Sequence, residues 1–242
     1  MRRFFCEEID GELAYLRGEE CQHLRRVLRL TPGEEVEIIA REGMFSAVLE
    51  DVGEKQAVAR VLSELPGREA ACRITLYHCL PKSDRMEYIL QKGVEIGVAA
   101  FAPVISQRCV ARVGEEAGRK LERWQRIVRE AVKQSGRTAV PEVLPPMPWA
   151  QAVARAHALK LVPWEELAGG EATCSFRGAL GDVPNDIGVY IGPEGGLTAE
   201  EIALATQHGA VAVSLGPRIL RADTAGLAVV SAILFASGDM GG

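Results

Sequence analysis

Metal ligands and thiol pairs are scarce in this sequence. Its 242 residues hold four histidines, far from one another, and six cysteines without a C-x-x-C pair, so neither a zinc site nor a disulfide framework is indicated. Cys6, Cys21, Cys72, Cys79, Cys109 and Cys174 are expected to be reduced, mostly buried thiols. Long apolar runs are missing too: no stretch of about 18 such residues occurs. The start, MRRFFCEEIDGE, turns acidic before an apolar core could form, so neither a membrane helix nor a signal peptide is expected, and the cytoplasm is the expected location. Excess positive charge is lacking as well, since 28 Lys and Arg face 33 Asp and Glu for a formal net charge of -5, which offers no general attraction to phosphate. A hydrophobic content of 48% is nevertheless enough for a sizeable core, in one large domain or two unequal ones.

The charge is unevenly spread. Residues 1–70 hold 10 basic against 15 acidic side chains, residues 71–140 hold 13 against 7, and residues 141–242 hold 5 against 11. In the middle block Arg119, Arg123, Arg126, Lys133 and Arg137 recur at helical spacing, while Leu121, Trp124, Ile127, Val128, Ala131 and Val132 can pack inward. This basic helix face suits either phosphate contacts or an ordinary solvated surface.

The pattern also divides the chain. Up to about Leu65, short apolar runs (VEIIA, FSAVLEDV, QAVARVL) alternate with Gly-centred turns, which predicts hairpins closing a small β-barrel. One helical stretch, GEECQHLRRVLRL, interrupts them, with Cys21, Leu24, Val27 and Leu28 facing inward and Arg25, Arg26 and Arg29 outward. LPGREAA reads as a linker. Beyond it, strands (RITLYHCL, FAPVI, ALKLV, IGVYI, AVAVSL) alternate with helices at residues 85–97 and 119–135, which predicts an α/β domain with a mostly parallel sheet.

The last third holds two loops of unusual composition. In IGVYIGPEGGLTAEEI a buried strand leads through Gly192-Pro193-Glu194-Gly195-Gly196 into a helix whose Thr198 and Glu201 match a capping box. Glycines admit a ligand close to the backbone, and a helix N-terminus offers unpaired N–H donors, so a nucleotide-like ligand is one reading and a plain strand-to-helix turn the other. Neither a P-loop nor a G-x-G-x-x-G fingerprint is present. SLGPRILRADTAGLAVVSAILFA repeats the order of strand, loop and helix, and successive loops at the carboxyl ends of strands are where open α/β sheets bind ligands. Arg218 and Arg221 would stand at the mouth of that crevice, or else pair with Asp223 or Glu194 to anchor the loop.

GPEGGLTAEEI and LGPRILRADTA, preceded by QKGVEIGV, SQRCVAR and EAVKQSGRTAVPEV, closely resemble the bacterial 16S ribosomal RNA uracil-N3 methyltransferase family over nearly the whole chain. The resemblance implies a PUA-like N-terminal β-barrel over residues 1–68 that binds RNA and a SPOUT methyltransferase domain over residues 72–242 with a deep trefoil knot. It implies S-adenosylmethionine as cofactor, held by Pro163, Trp164 and Glu165, by Ile191, Gly192, Pro193, Glu194, Gly195 and Gly196, and by Leu215, Gly216, Ile219, Leu220, Thr224 and Ala225. At position 223 the chain has Asp where the resemblance leads one to expect Glu. Arg221 is the candidate catalytic residue, stabilising a uracil anion; Asp223 and Glu194 are both candidates for the base, which stays open. Contacts to 16S ribosomal RNA in the small subunit are expected from Arg2, Arg3, His23, Arg25, Arg26, Lys82, Arg85, Arg108, Arg126, Arg129, Gln134 and Arg137. A homodimer without metal is implied, and the nearly all-apolar helix from Thr224 to Ala236 suits a partner as well as a domain core. Two rival classes remain: an RNA-binding ribosome-assembly factor that lost catalysis, and an enzyme that uses the glycine loop for another nucleotide-like ligand.

Overall fold

A computed structural model of the chain describes residues 2–82, 84–110, 117–167 and 175–241. Cys174 lies outside them. The chain divides into two compact units: Met1–Glu69 with Val132–Ala139, and Ala70–Ala131 with Val140–Gly242.

In the first unit β1 (Arg3–Phe5), β2 (Glu8–Asp10), β3 (Leu13–Arg17), β4 (Glu35–Ala40), β5 (Gly43–Val52) and β6 (Gln56–Leu65) form one sheet in the order β1-β4-β5-β6-β3-β2. Only β1 and β4 run parallel. Irregular registers near Ser46 and Leu49 bend β5 against β6, the usual effect of bulges. Phe4, Leu16, Val36, Ile38, Ala47, Leu49 and Ala59 close the core. Helix α1 (Gly18–Gln22) runs into a π-helical turn over His23–Val27. Cys21 and Leu24 are buried as the periodicity predicts, but Val27 is 67% exposed, because the wider π turn moves its residues out of the 3.6-residue phase.

Charged side chains of this unit are largely paired. Arg3 Nε donates to Glu37 at 2.5 Å and Arg3 Nη1 to the Lys133 carbonyl at 2.6 Å. Lys133 Nζ meets Glu20 at 2.7 Å and lies 5.2 Å from the Phe5 ring. Arg137 is buried and bonded to Glu69; burial opposes that carboxyl's ionisation, yet the Arg137 bonds and charge win and hold its pKa below the usual value.

The second unit is built on a seven-stranded, wholly parallel sheet of β7 (Arg73–Cys79), β8 (Ala100–Ile105), β9 (Glu142–Val143), β10 (Met147–Pro148), β11 (Leu159–Pro163), β12 (Asp186–Ile191) and β13 (Ala210–Val213). The order is β10-β8-β7-β12-β11-β13, with β9 also beside β8. Central strands buried on both faces need continuous apolar runs, and RITLYHC and DIGVYI supply them. Connections are helical: α2 (Arg85–Ile96), α3 (Ala117–Ser135), α4 (Trp149–Val153), α5 (Phe176–Leu180), α6 (Ala199–Gln207) and α7 (Ala222–Ala236). Helix α2 stops where Gly97 takes φ +125°, a conformation closed to most L residues. Helix α7 packs on β7, β12 and α2 and buries Ala225, Gly226, Val229, Val230, Ile233 and Leu234, so much of its apolar surface serves this unit's core. No described helix is long and apolar enough to cross a membrane.

Candidate active site

Three neighbouring strands deliver the loops that build a cavity. β11, β12 and β13 end together at Pro163, Ile191 and Val213, since β11 pairs in parallel with both others. Their following loops enclose about 470 Å³ at the carboxyl edge of the sheet, where parallel α/β sheets place their ligands. Of the residues named above, Pro163, Trp164, Glu165, Ile191, Gly192, Pro193, Glu194, Gly196, Leu215, Gly216, Ile219, Leu220, Ala225, Arg218, Arg221 and Arg85 line it, joined by Ser214 and Ala222. Gly195, on the glycine loop, and Thr224, in the first turn of α7, do not line the cavity.

The glycine loop is held by its own turn, with Gly196 N–H donating to the Pro193 carbonyl at 2.9 Å. Gly196 has φ +72°, and a Cβ there would meet Glu165 Oε1 at 1.9 Å. Gly192 is constrained by space alone, since its Cβ would lie 2.9 Å from Leu197 Cγ. The capping box forms: Glu201 N–H donates to Thr198 Oγ1 at 3.2 Å, and Thr198 N–H to Glu201 Oε2 at 3.0 Å. The other Glu201 oxygen accepts from Gln107 N–H at 2.8 Å, and Arg108 Nη1 donates to the Gly195 carbonyl at 2.9 Å. Arg108 therefore braces the glycine loop.

Lys82 and Arg85 flank the start of α2 and meet the two site carboxylates. Glu194 accepts from the Lys82 backbone N–H at 3.0 Å, and Arg85 Nη1 lies 3.5 Å from Asp223 Oδ2. Neither carboxylate pairs with Arg218 or Arg221, so the loop-anchoring alternative for those arginines is not the arrangement found. Arg221 is the N-cap residue of α7, its carbonyl accepting from Ala225 N–H at 2.8 Å, while its exposed guanidinium makes no ion pair among the described residues. Behind it His78 is fully buried, with Nε2 3.1 Å from the Ala222 carbonyl and Nδ1 2.7 Å from that of Cys79. Burial lowers the His78 pKa, against the raising effect of those carbonyls and of Glu194 and Asp223. Sequence reasoning missed His78; a polar residue inside the apolar run RITLYHC was the available signal.

Other residues named for RNA contact are scattered. His23, Arg26, Lys82, Arg126, Arg129 and Gln134 are exposed. Arg2 and Arg25 make surface ion pairs with Glu34 and Glu54 at 3.2 and 3.4 Å, a weak kind of interaction that a phosphate could replace. Arg3 and Arg137 are held by the internal pairs described above. Arg123, on the same basic face, pairs with Glu87 at 2.7 Å.

The cavity suits an adenosyl amino acid. Ile191, Leu215, Leu220 and Ala225 give apolar walls, two glycine-bearing loops bring backbone groups near, and charged side chains stand at the rim. The Trp164 indole N–H is buried and has no hydrogen-bond partner among the described residues. No group of three or more potential metal ligands occurs among the described residues.

Comparison with known proteins agrees with this geometry. Residues 68–234 match the model of an RNA methyltransferase domain, and residues 16–62 that of an RNA methyltransferase PUA domain. Fold and site thus define an RNA methyltransferase with a PUA domain. The ribosomal RNA small subunit methyltransferase E of Bacillus subtilis is 32% identical over 97% of this chain and 96% of its own length, and that of Synechocystis 35% over 94% and 76%. A ribosomal RNA small subunit methyltransferase E from Neisseria gonorrhoeae, solved bound to S-adenosyl methionine, superposes with TM-score 0.85 at 36% identity, covering 97% of both chains. A Legionella pneumophila protein solved with bound SAM gives 0.84 at 34%, again over 97% of both chains. The chain belongs to the ribosomal RNA small subunit methyltransferase E family.

Proposed function

We propose that this chain methylates N3 of a specific uridine in 16S ribosomal RNA of the small subunit, using S-adenosylmethionine. The observation that supports this most directly is the cavity at the carboxyl ends of β11, β12 and β13, with its apolar walls and two glycine-bearing loops. The cofactor, when bound, supplies an activated sulfonium methyl group. Pro163 to Glu165, Ile191 to Gly196 and the 215–225 loop would hold it. Transfer to N3 requires the nitrogen to lose its proton and to face the methyl group in line, so the protein must position, exclude water and stabilise negative charge on the uracil. Arg221 suits the last role, because its guanidinium is uncommitted and its planar fork matches a delocalised anion. Glu194 and Asp223 act here as positioning residues, fixing the loops through Lys82 and Arg85.

Residues 1–68 would form a PUA-like barrel that grips RNA, and residues 72–242 a SPOUT domain whose chain end threads a loop to make a deep trefoil knot, an exception to the rule that chains avoid knots. Phosphate contacts would come from the exposed members of the basic set, with Arg126 and Arg129 on α3 foremost. Helix α7 leaves Phe235 69% exposed and Ile219 in the preceding loop 78% exposed, which favours a homodimer. A cytoplasmic location completes the proposal.

Calorimetric titration with S-adenosylmethionine, S-adenosylhomocysteine, ATP and NAD separates this reading from its rivals. Binding of the first two alone is expected; preference for ATP or NAD would point to another nucleotide chemistry, and no binding at all to a non-catalytic RNA-binding factor.

A further inference from the structure

The opposite edge of the parallel sheet carries a second cavity, of about 300 Å³, where β7, β8, β9 and β12 begin. The length of β12, roughly 20 Å at about 3.3 Å per residue, separates it from the glycine loop. Arg73, Thr75 and Tyr77 alternate onto one face of β7, and the register sets Ala100 and Gly188 on either side of Thr75. This row of small side chains leaves a depression. His157, from the connection between α4 and β11, fills the part over Gly188, where a Cβ would lie 2.7 Å from His157 Cδ2. The part over Ala100 and Thr75 stays open. Thr75 is only 5% exposed, and its hydroxyl has no hydrogen-bond partner among the described residues. One wall is a fixed chain: Tyr77 Oη lies 2.9 Å from His157 Nε2, and His157 Nδ1 lies 3.0 Å from Asp186 Oδ2. A carboxylate only accepts, so Nδ1 carries the proton and Nε2 accepts from the phenol. The chain holds Asp186 in place with its side chain 42% exposed and its other oxygen, Oδ1, without a hydrogen bond among the described residues. Arg73, Arg155 and Glu142 also line the cavity, and neither arginine makes an ion pair among the described residues.

We propose that this second cavity binds the guanine base of a nucleotide. Two guanidinium groups against two carboxylates leave the lining without net charge, which disfavours a bare anion and suits an uncharged ligand that offers both donors and acceptors. Guanine alone among the four RNA bases sets two donors, N1–H and the N2 amino group, side by side on one edge, and a held carboxylate such as Asp186 accepts from both. Its O6 and N7 form the acceptor pair that an arginine fork meets bidentately, and Arg73 and Arg155 are both uncommitted. The buried Thr75 hydroxyl, able to donate or accept, adds a contact at the floor. About 300 Å³ holds one base, with sugar and phosphate left in solvent. Such a base comes either from a free nucleotide or from an unpaired guanosine of an RNA chain, whose edges are open to side chains.

The second cavity does not depend on the cofactor reading. The full-length protein is titrated calorimetrically with guanosine, inosine, adenosine and uridine monophosphates, with and without saturating S-adenosylhomocysteine. Guanosine monophosphate should bind best, inosine monophosphate, which lacks the N2 amino group, several-fold more weakly, and the other two least, with S-adenosylhomocysteine changing none of these affinities. Asp186→Asn should weaken guanosine monophosphate roughly 10- to 100-fold, the scale of one bidentate base contact, and remove its advantage over adenosine monophosphate. Because that change also disturbs His157, Arg73→Ala and Arg155→Ala, both at exposed positions, give an independent reading: each should weaken binding several-fold at an unchanged urea midpoint. A single-stranded oligonucleotide with one guanosine separates the two sources. Competition with guanosine monophosphate assigns the cavity to RNA, and binding of the mononucleotide alone assigns it to a free nucleotide. Absence of guanosine monophosphate binding, equal binding of uridine monophosphate or inorganic phosphate, displacement by S-adenosylhomocysteine, or unchanged affinity in all three variants overturns the proposal.

Discussion

Replacing Gly196 by Ala perturbs the candidate site at one atom. At φ +72° an L residue carries a steric penalty of about 1–2 kcal/mol, which should appear as an equal loss of folding stability. The added Cβ would also fall 1.9 Å from Glu165 Oε1, closer than any real contact, so the Glu165 side chain must move. Because Glu165 is exposed and flexible, its displacement is cheap in stability. Its effect falls on the cavity, which both residues line, and a displaced carboxylate there should weaken S-adenosylhomocysteine binding by roughly 10- to 100-fold, or about 1.4–2.8 kcal/mol. The assay is a double-mutant cycle with Glu165→Ala, read by calorimetry, with urea unfolding in parallel. In the Glu165→Ala background the binding penalty of Gly196→Ala should shrink while the stability penalty persists. Equal binding penalties in both backgrounds, or wild-type affinity in the folded single variant, would refute this account of why position 196 needs glycine.

Other consequences concern catalysis, docking and pH. Arg221→Lys should slow single-turnover methylation by roughly 10²-fold with RNA and cofactor affinities nearly unchanged, the signature of a donor acting in the transition state; a loss confined to binding would make it a docking residue. Arg126→Ala with Arg129→Ala should weaken RNA binding and reduce its salt dependence, since each lost phosphate contact releases fewer counterions; an unaltered salt slope would reduce that face to solvated surface. Because burial lowers the His78 pKa in the folded state, the unfolded chain binds the extra proton first, and stability should fall as pH drops below 6.5. Urea midpoints of wild type and His78→Gln should therefore converge on acidification, and parallel curves would exclude His78 as the source.

Legibility in the sequence followed the length and regularity of each element. The parallel sheet was readable because RITLYHC, AFAPVI and DIGVYI are continuous apolar runs separated by helical stretches, and the α6 cap because Thr198 and Glu201 stand at capping-box spacing. Strands β9 and β10 span two residues each and exist only through pairing with β8, so no periodicity could announce them. At the site, two of the three loops were visible as glycine and proline clusters, at residues 192–196 and 216–217, whereas Pro163-Trp164-Glu165 has no such composition and came only from the family resemblance. Their braces were not: Arg108 on Gly195, Lys82 on Glu194 and Arg85 on Asp223 join residues 87, 112 and 138 positions apart, and a lone Arg or Lys in sequence reads as a phosphate ligand. Lys160 was hidden for the same reason. It is buried in β11, where Nζ donates to the Val153 and His208 carbonyls at 2.8 and 2.9 Å, satisfying carbonyls at the ends of α4 and α6.

The most direct test is transfer of labelled methyl from S-adenosylmethionine to purified small ribosomal subunits, followed by mass mapping of the 16S RNA. One methyl group on N3 of a single uridine is expected, absent when S-adenosylhomocysteine is in excess. Methylation at a carbon or ribose position, on large-subunit RNA, or no transfer by a protein that binds the cofactor would contradict the proposed function.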